Sequence, residues 1–245
     1  MQGWSTSWAR SLACAVTLVA AVLLGLQASG KDNKADNTAV KPVPKDVNRH
    51  EGFLKEAKKG GIDVLFLGDS ITDGWRGGGK EIWNKYYKPL HAANFGIGGD
   101  RTEHVLWRLQ HGELEGIHPK VAVLMIGTNN LGSNSPEQIA EGIKAIVDEI
   151  RDKTPKTKVL LLGVFPRAPK ADDPARAKIK KINGIIAQMD DGGKHIRYLD
   201  IGDKFLDNEG NLPKDVMPDF LHPNQKGYEI WAEAMQPTLE KMLNK

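Results

Sequence analysis

The chain has 245 residues, of which 40% are hydrophobic and 27% are charged, and its net charge is +3. These values fit one globular domain of ordinary size with a short additional segment. Because the lysines and arginines are scattered along the chain, the composition indicates no nucleic-acid or acidic-polymer partner.

The first thirty residues have the order of a signal peptide. Arg10 precedes an apolar run over residues 12–26, and small residues follow it up to Gly30. The run is shorter than the roughly 20 residues that span a bilayer comfortably, which favours a signal peptide, residues 1–30, cleaved near Gly30. We therefore expect export to the periplasm or the outside of the cell, with no stable membrane span after cleavage. An uncleaved N-terminal membrane anchor is the alternative.

Residues 31–47 are rich in Lys, Asp, Asn and Pro, which predicts a flexible linker before the folded domain, residues 48–245. The only cysteine, Cys14, lies within the apolar run of the expected signal peptide. Its removal would leave no thiol for catalysis or for a disulfide.

Apolar runs and helical patterns then alternate along the chain. Compact apolar runs that fit buried parallel strands occur at residues 62–67, 92–95, 121–126, 159–165 and 196–201. Apolar residues at helical spacing predict helices over 136–153, 174–189 and 223–243. This alternation indicates an α/β fold, a three-layer α/β/α sandwich with a five-stranded parallel sheet.

Unusual residues follow three of the predicted strands, at the edge where parallel sheets bind ligands. They read Gly-Asp-Ser-Ile-Thr at 68–72, Gly-Ile-Gly-Gly-Asp at 96–100 and Gly-Thr-Asn-Asn at 127–130. A fourth block, Asp-Phe-Leu-His at 219–222, precedes the last helix. Each block alone is a weak signal, but their order and positions together indicate a catalytic site.

The four blocks resemble the SGNH, or GDSL, family of hydrolases, in which Ser, Gly, Asn and Asp-x-x-His occur in this order. Within that family, the chain is similar to the catalytic subunits of platelet-activating-factor acetylhydrolase at residues 94–100, 104–109, 112–115, 127–130 and 219–222. The resemblance covers nearly the whole chain after the linker. It implies a flavodoxin-like fold and a carboxylic ester hydrolase.

The resemblance also implies a role for each block. Ser70 would be the nucleophile, His222 the general base that takes its proton, and Asp219 the carboxylate that orients the imidazole. The backbone N–H groups of Ser70 and Gly99 and the side-chain amide of Asn129 would stabilise the oxyanion of the tetrahedral intermediate.

By the same resemblance, Ile71, Thr128 and Leu221 would line a narrow acyl pocket whose bulk favours acetyl over longer chains. Asp69 and Asp73 are expected to cap or brace the first block. The resemblance implies no cofactor and no metal, and it allows a homodimer.

Three other designs fit the sequence less well. The nucleophile elbow of α/β-hydrolases requires Gly-x-Ser-x-Gly, and Thr72 stands where the second Gly should be. A two-metal phosphoesterase could use Asp69, but it needs clustered His and Asp ligands, whereas the histidines are scattered. A non-catalytic carbohydrate-binding protein on the same fold is the alternative of a different class, and the intact set of four blocks argues against it.

The alcohol half of the substrate stays open at this point. The animal acetylhydrolase subunits are intracellular, whereas this chain carries an expected export signal. An esterase of acetylated carbohydrates, such as acetylated xylan, is therefore as consistent with the sequence as a hydrolase of acetylated phospholipids.

Overall fold

Five parallel strands form one sheet in the computed structural model, which describes residues 37–244. The expected signal peptide, residues 1–30, lies outside the described residues. The strands are Val64–Gly68 (β1), Ala92–Gly96 (β2), Val121–Met125 (β3), Lys158–Leu162 (β4) and Ile196–Leu199 (β5). The α-helices of the described residues are Val47–Ala57 (α1), Ser70–Asp73 (α2), Lys80–Tyr86 (α3), Thr102–Arg108 (α4), Pro136–Lys153 (α5), Pro174–Ile186 (α6) and Gln225–Leu243 (α7).

The strand order is β2-β1-β3-β4-β5, so the order of the strands reverses at β1. Gly68, at the end of β1, is in register with Gly96 of β2 on one side and Met125 of β3 on the other. This order is that of flavodoxin-like folds, in which ligands bind outside the carboxyl ends of β1 and β3. The predicted α/β fold with a five-stranded parallel sheet is confirmed.

Helices cover both faces of the sheet, because the strands are apolar on both faces. Leu65 and Leu67 of β1 belong to a core cluster shared with α1, α4, α5 and α6, whereas Val64 and Phe66 belong to a second cluster shared with α3 and α7. Every residue of β1 and β3 is buried. Burial on both sides accounts for the continuous apolar runs in the sequence.

Local capping sets the start of α5, which spans the predicted range. The Ser135 hydroxyl accepts a hydrogen bond from the backbone N–H of Gln138 (3.2 Å), and the Gln138 side chain accepts one from the backbone N–H of Ser135 (3.0 Å). Pro136 occupies the first helical position, where its missing N–H is not needed.

Four helices, α1 to α4, have no counterpart among the predicted helices. α4 buries the charged side chains of Glu103 and Arg108 together with its apolar ones, which interrupts the apolar periodicity. α1 buries only His50, Phe53 and Ala57. None of the helices formed by residues 37–244 has the length and apolar character needed to cross a membrane.

The N-terminal segment, residues 37–46, packs against the domain, although its composition predicts part of a flexible linker over 31–47. Asn37 is buried, and its side chain donates a 3.2 Å hydrogen bond to the backbone of α5. The carbonyl oxygen of the fully buried Ala39 accepts a 2.8 Å hydrogen bond from the Thr102 hydroxyl. The linker prediction does not hold for these residues, because small and polar side chains here find partners on the folded domain.

Candidate active site

The turn after β1 carries Ser70 as the first residue of α2. Asp69 lies fully buried before it, and Asp69 Oδ1 accepts a 2.9 Å hydrogen bond from the backbone N–H of Ile71, which caps the short helix. The strand ends approach this turn closely, because a Cβ atom on Gly68 or Gly96 would overlap atoms of α2. Ser70 is thereby presented at the carboxyl edge of the sheet.

The fold brings Ser70 and His222 together across 152 positions of sequence. Ser70 Oγ lies 2.9 Å from His222 Nε2, and His222 Nδ1 lies 2.6 Å from Oδ2 of Asp219. An ionised carboxylate can only accept, so Nδ1 carries the proton and Nε2 is left to accept from the serine hydroxyl. A general base acting on a serine requires this tautomer.

Asp219 is also held by the backbone of its own loop. Its Oδ1 accepts hydrogen bonds from the backbone N–H groups of His222 (2.7 Å) and Leu221 (3.1 Å). Burial acts to raise the pKa of Asp219, but these bonds and the bond to the His222 ring outweigh it, and the pKa is lowered. Because its pKa is lowered, Asp219 is ionised at neutral pH. The tight loop passes through Phe220 with φ of +59°.

Gly99 and Asn129 lie in the loops that follow β2 and β3. The side-chain amide of Asn129 donates a 2.8 Å hydrogen bond to the carbonyl oxygen of Asp100, which joins the two loops and leaves the second amide hydrogen for a ligand. Gly99 has φ of +73°, a conformation that favours glycine. Within residues 37–244, the backbone N–H groups of Ser70 and Gly99 have no protein acceptor.

The three residues expected to line an acyl pocket have different surroundings. Thr128 is buried and borders a groove of about 650 Å³ together with Asn129. Ile71 is buried in the core cluster shared with α7, and the half-buried Leu221 packs against that cluster. Arg167, which the sequence reasoning missed, holds Thr128 in place, since its Nη1 lies 3.3 Å from both the carbonyl oxygen and the hydroxyl of Thr128.

Asp69 is a buried carboxyl group next to Ser70. Burial raises the pKa of Asp69 to about 7 against the opposing hydrogen bond from Ile71, and the negative charge of Asp100 adds to the increase. Asp69 Oδ2 has no hydrogen-bond partner among the described residues. At neutral pH the fold therefore holds a partly protonated carboxyl group directly before Ser70.

Behind the loop of Gly99, Asp100 belongs to a buried ion network. Asp100 Oδ2 accepts hydrogen bonds from Arg108 Nε (3.1 Å) and Nη2 (3.0 Å), and Arg108 Nη1 donates to both carboxylate oxygens of Glu113. Burial raises the pKa of Asp100, and the charge of Arg108 opposes the increase. Within residues 37–244, no group of three or more His, Cys, Asp or Glu side chains is arranged to hold a metal ion.

Lys45 reaches the same loop from the N-terminal segment. Its Nζ donates a hydrogen bond to the carbonyl oxygen of Gly98 and lies 3.4 Å from Oδ1 of Asp100. The sequence carries no local signal for this contact, because Lys45 stands in a stretch of lysines and prolines that is typical of a linker.

Comparisons with known proteins address the family and the fold. Residues 66–230 match the model of the GDSL-like Lipase/Acylhydrolase family. Platelet-activating factor acetylhydrolase IB subunit alpha1 of Homo sapiens is 37% identical over 219 residues, which cover 88% of this chain and 93% of that protein.

Two solved structures share the fold at low identity. A GDSL-like lipase from Bacteroides thetaiotaomicron aligns with a TM-score of 0.64 and 22% identity, over 78% of this chain and 97% of that one. A catalytic mutant of an acetylxylan esterase from Geobacillus stearothermophilus aligns with a TM-score of 0.55 and 20% identity, over 75% and 94%. At this identity the two structures establish likeness of fold alone.

Proposed function

This chain belongs to the GDSL-like lipase/acylhydrolase family and is an ester hydrolase, and on that premise we propose that Ser70, His222 and Asp219 form its catalytic triad. The observation that carries the proposal is the continuous path of hydrogen bonds, 2.9 Å from Ser70 Oγ to the imidazole and 2.6 Å from the imidazole to the carboxylate. A serine hydroxyl is a weak nucleophile by itself, and this path supplies the base that activates it.

Each proton in the reaction then passes through His222. Ser70 Oγ bonds to the ester carbonyl carbon as its proton moves to Nε2, and Asp219 stabilises the imidazolium. When the tetrahedral intermediate collapses, the C–O bond to the alcohol breaks and the alcohol leaves with the proton from Nε2. A water molecule, deprotonated by the same nitrogen, attacks the acyl group and releases the carboxylic acid and free Ser70.

Three donors would stabilise the oxyanion in this scheme. They are the backbone N–H groups of Ser70 and Gly99 and the free amide hydrogen of Asn129. All three are fixed before the substrate binds, by the cap on α2, by the positive φ of Gly99 and by the bond from Asn129 to Asp100. Donors that need no reorganisation are the most effective in lowering the barrier.

The acyl group in this proposal is short, and acetyl is the preferred one. The bulk of Ile71, Thr128 and Leu221, which stand beside the proposed catalytic residues in the sequence, supports it. The human relative is named for acetyl ester hydrolysis. For the alcohol half, the groove beside Asn129 offers about 650 Å³, and acetylated carbohydrates and acetylated phospholipids are the two classes to compare.

We also propose that the protein is exported with its signal peptide, residues 1–30, removed near Gly30. The sequence order of Arg10, an apolar run and small residues supports this. Mass spectrometry of the protein from the periplasm and the medium checks it: a first residue near position 31 supports cleavage, and an intact N-terminus in the membrane fraction contradicts it.

The triad is tested with Ser70→Ala against wild type and against Ser133→Ala, a change at an exposed serine outside the site. Acetyl, butyryl and octanoyl nitrophenyl esters rank the acyl group, and acetylated xylo-oligosaccharides and an acetylated phospholipid rank the alcohol. We expect Ser70→Ala to lose at least about 10³-fold in kcat while Ser133→Ala keeps it. Unchanged hydrolysis by Ser70→Ala contradicts the triad, faster octanoyl hydrolysis contradicts the acyl preference, and loss of activity with a chelator points to a metal-dependent enzyme.

A further inference from the structure

We propose that Lys45 is a positioning residue of the oxyanion hole, which orients and polarises the backbone N–H of Gly99 by binding the carbonyl oxygen of Gly98. The inference rests on the proposed role of Gly99 as an oxyanion donor and adds a residue from outside the four sequence blocks. Lys45 Nζ donates to Gly98 and lies 3.4 Å from a carboxylate oxygen of Asp100. It therefore contacts the residues on both sides of Gly99.

The geometry of the peptide group explains how this contact acts on the donor. The carbonyl of Gly98 and the N–H of Gly99 belong to one planar trans peptide, in which the two bonds point in opposite directions. Fixing the carbonyl oxygen therefore fixes the direction of the N–H. Two successive glycines would otherwise leave this peptide plane free to rotate, because glycine lacks the side chain that restricts the backbone.

The contact with Lys45 polarises the peptide group between Gly98 and Gly99 as well as orienting it. A carbonyl that accepts a hydrogen bond from an ammonium group has more negative charge on its oxygen, and the N–H of the same peptide becomes a stronger donor. The Lys45 side chain is 35% exposed and the Asp100 side chain beneath it is fully buried, so the ion pair between them is partly shielded from water, whereas the bond from Lys45 to the Gly98 carbonyl oxygen is exposed.

Asp100 lies between two cations, Lys45 on one side and Arg108 on the other. Its Oδ2 is bound by Arg108 at 3.0 and 3.1 Å, and its Oδ1 faces Lys45. The short turn that contains Gly99 is therefore held between the ion network behind it and the ammonium group in front of it. The carbonyl oxygen of the same residue accepts the amide of Asn129, so one anchored residue links two of the proposed oxyanion donors.

The chain holds Lys45 in place from both directions. On one side, the backbone N–H of Val43 donates a 3.3 Å hydrogen bond to the carbonyl oxygen of Glu103. On the other, the side chain of Asp46 accepts a 3.0 Å hydrogen bond from the backbone N–H of Arg49 and caps α1. The conformational freedom of the lysine is thus restricted before the substrate binds, which reduces the entropy lost in the reaction.

The test compares Lys45→Met, Lys45→Arg and, as the matched control, Lys41→Met at an exposed lysine of the same segment. With nitrophenyl acetate, we expect Lys45→Met to lose about 10- to 100-fold in kcat, with KM changed by less than about threefold. Lys45→Arg should recover most of the loss, and Lys41→Met should match wild type. Equal thermal unfolding midpoints would separate this effect from a loss of folding.

Hydrogen exchange at the Gly99 amide gives a readout that does not depend on turnover. Faster exchange and a shifted amide resonance in Lys45→Met, but not in Lys41→Met, support the contact. A kcat within twofold of wild type for Lys45→Met, or an unchanged Gly99 resonance, overturns the proposal. Retained activity in Ser70→Ala would contradict the triad instead, so the two failures are distinguishable.

Discussion

The hydroxyl of Tyr228 in α7 donates a 2.7 Å hydrogen bond to the backbone carbonyl oxygen of Ile71, the residue after Ser70. The ring of Tyr228 is buried against Trp75, with ring centroids 4.4 Å apart. A helix that lies 157 residues later in the sequence therefore holds the turn of the proposed nucleophile in place.

Tyr228→Phe should destabilise the protein while leaving the packing of the ring in place. The buried carbonyl oxygen of Ile71 loses this partner, and we expect the free energy of unfolding to fall by about 1–3 kcal/mol. Urea unfolding measures it, with Tyr86→Phe at a half-buried tyrosine of α3 as the control. Equal stability of Tyr228→Phe and wild type would show that the bond contributes nothing measurable.

Gly99→Ala and Gly98→Ala form a matched pair. A Cβ atom on Gly99 meets a positive φ of +73° and lies 3.1 Å from Lys45 Nζ, whereas a Cβ atom on Gly98 meets nothing within 4 Å. We expect Gly99→Ala to lower kcat by about 10-fold or more and Gly98→Ala to lower it far less. Steady-state kinetics with an acetyl ester measures the two kcat values. A larger loss in Gly98→Ala than in Gly99→Ala would contradict the assignment of Gly99 as an oxyanion donor.

Asn129 and Asn130 are adjacent and should give opposite phenotypes. Asn129→Ala removes a proposed oxyanion donor and should lower kcat by about 10²–10³-fold with little change in stability. Asn130 is fully buried, its side-chain amide donates to Glu103 (2.9 Å), and its side-chain oxygen Oδ1 accepts a hydrogen bond from the backbone N–H of Thr102 (3.1 Å). Asn130→Ala should therefore lower the thermal unfolding midpoint. If Asn129→Ala lowered the free energy of unfolding by as much as it raised the activation free energy, Asn129 would have a structural role.

Asp69 should make stability depend on pH. Its pKa is about 7 in the folded state and about 3.9 in the unfolded state, so between these values the folded state keeps a proton that the unfolded state releases. The stabilising contribution is complete below about pH 4 and is lost as the pH rises through 7.

Asp69→Asn should therefore reduce the fall in unfolding free energy between pH 5 and pH 8, by about 1–3 kcal/mol. Asparagine retains an oxygen that can accept from the backbone N–H of Ile71 and has no proton to lose. Chemical denaturation at several pH values measures the slope of the unfolding free energy against pH, with Asp152→Asn at an exposed position as the control. A slope equal to that of wild type would mean that Asp69 is ionised throughout this range.

The strands could be predicted because a sheet buried on both faces requires continuous apolar runs. The run over 159–165 nevertheless continues past the last residue of β4, Leu162, since Val164 and Phe165 are buried by packing without pairing in the sheet. Apolar character reports burial, and only the hydrogen-bond pattern reports the end of a strand.

Some residues of the candidate site could be predicted from the sequence, and others could not. The proposed catalytic residues Ser70 and His222 could be predicted from the sequence, because such a role needs a particular residue type at a strand end or in a short loop. Lys45 and Arg167 act through contacts to backbone carbonyl oxygens, which any residue can offer. The raised pKa of Asp69 depends on burial by distant elements, so no local pattern could have indicated it.

The docked N-terminal segment affects where the domain can be cut for expression. The family match begins at residue 66, after Lys45 and the whole of α1. A recombinant fragment that starts at that boundary would retain Ser70, His222 and the whole of the family match. It would lack the ammonium group of Lys45 that binds the carbonyl oxygen of Gly98, so weak turnover by such a fragment would reflect the choice of boundary and not the capacity of the enzyme.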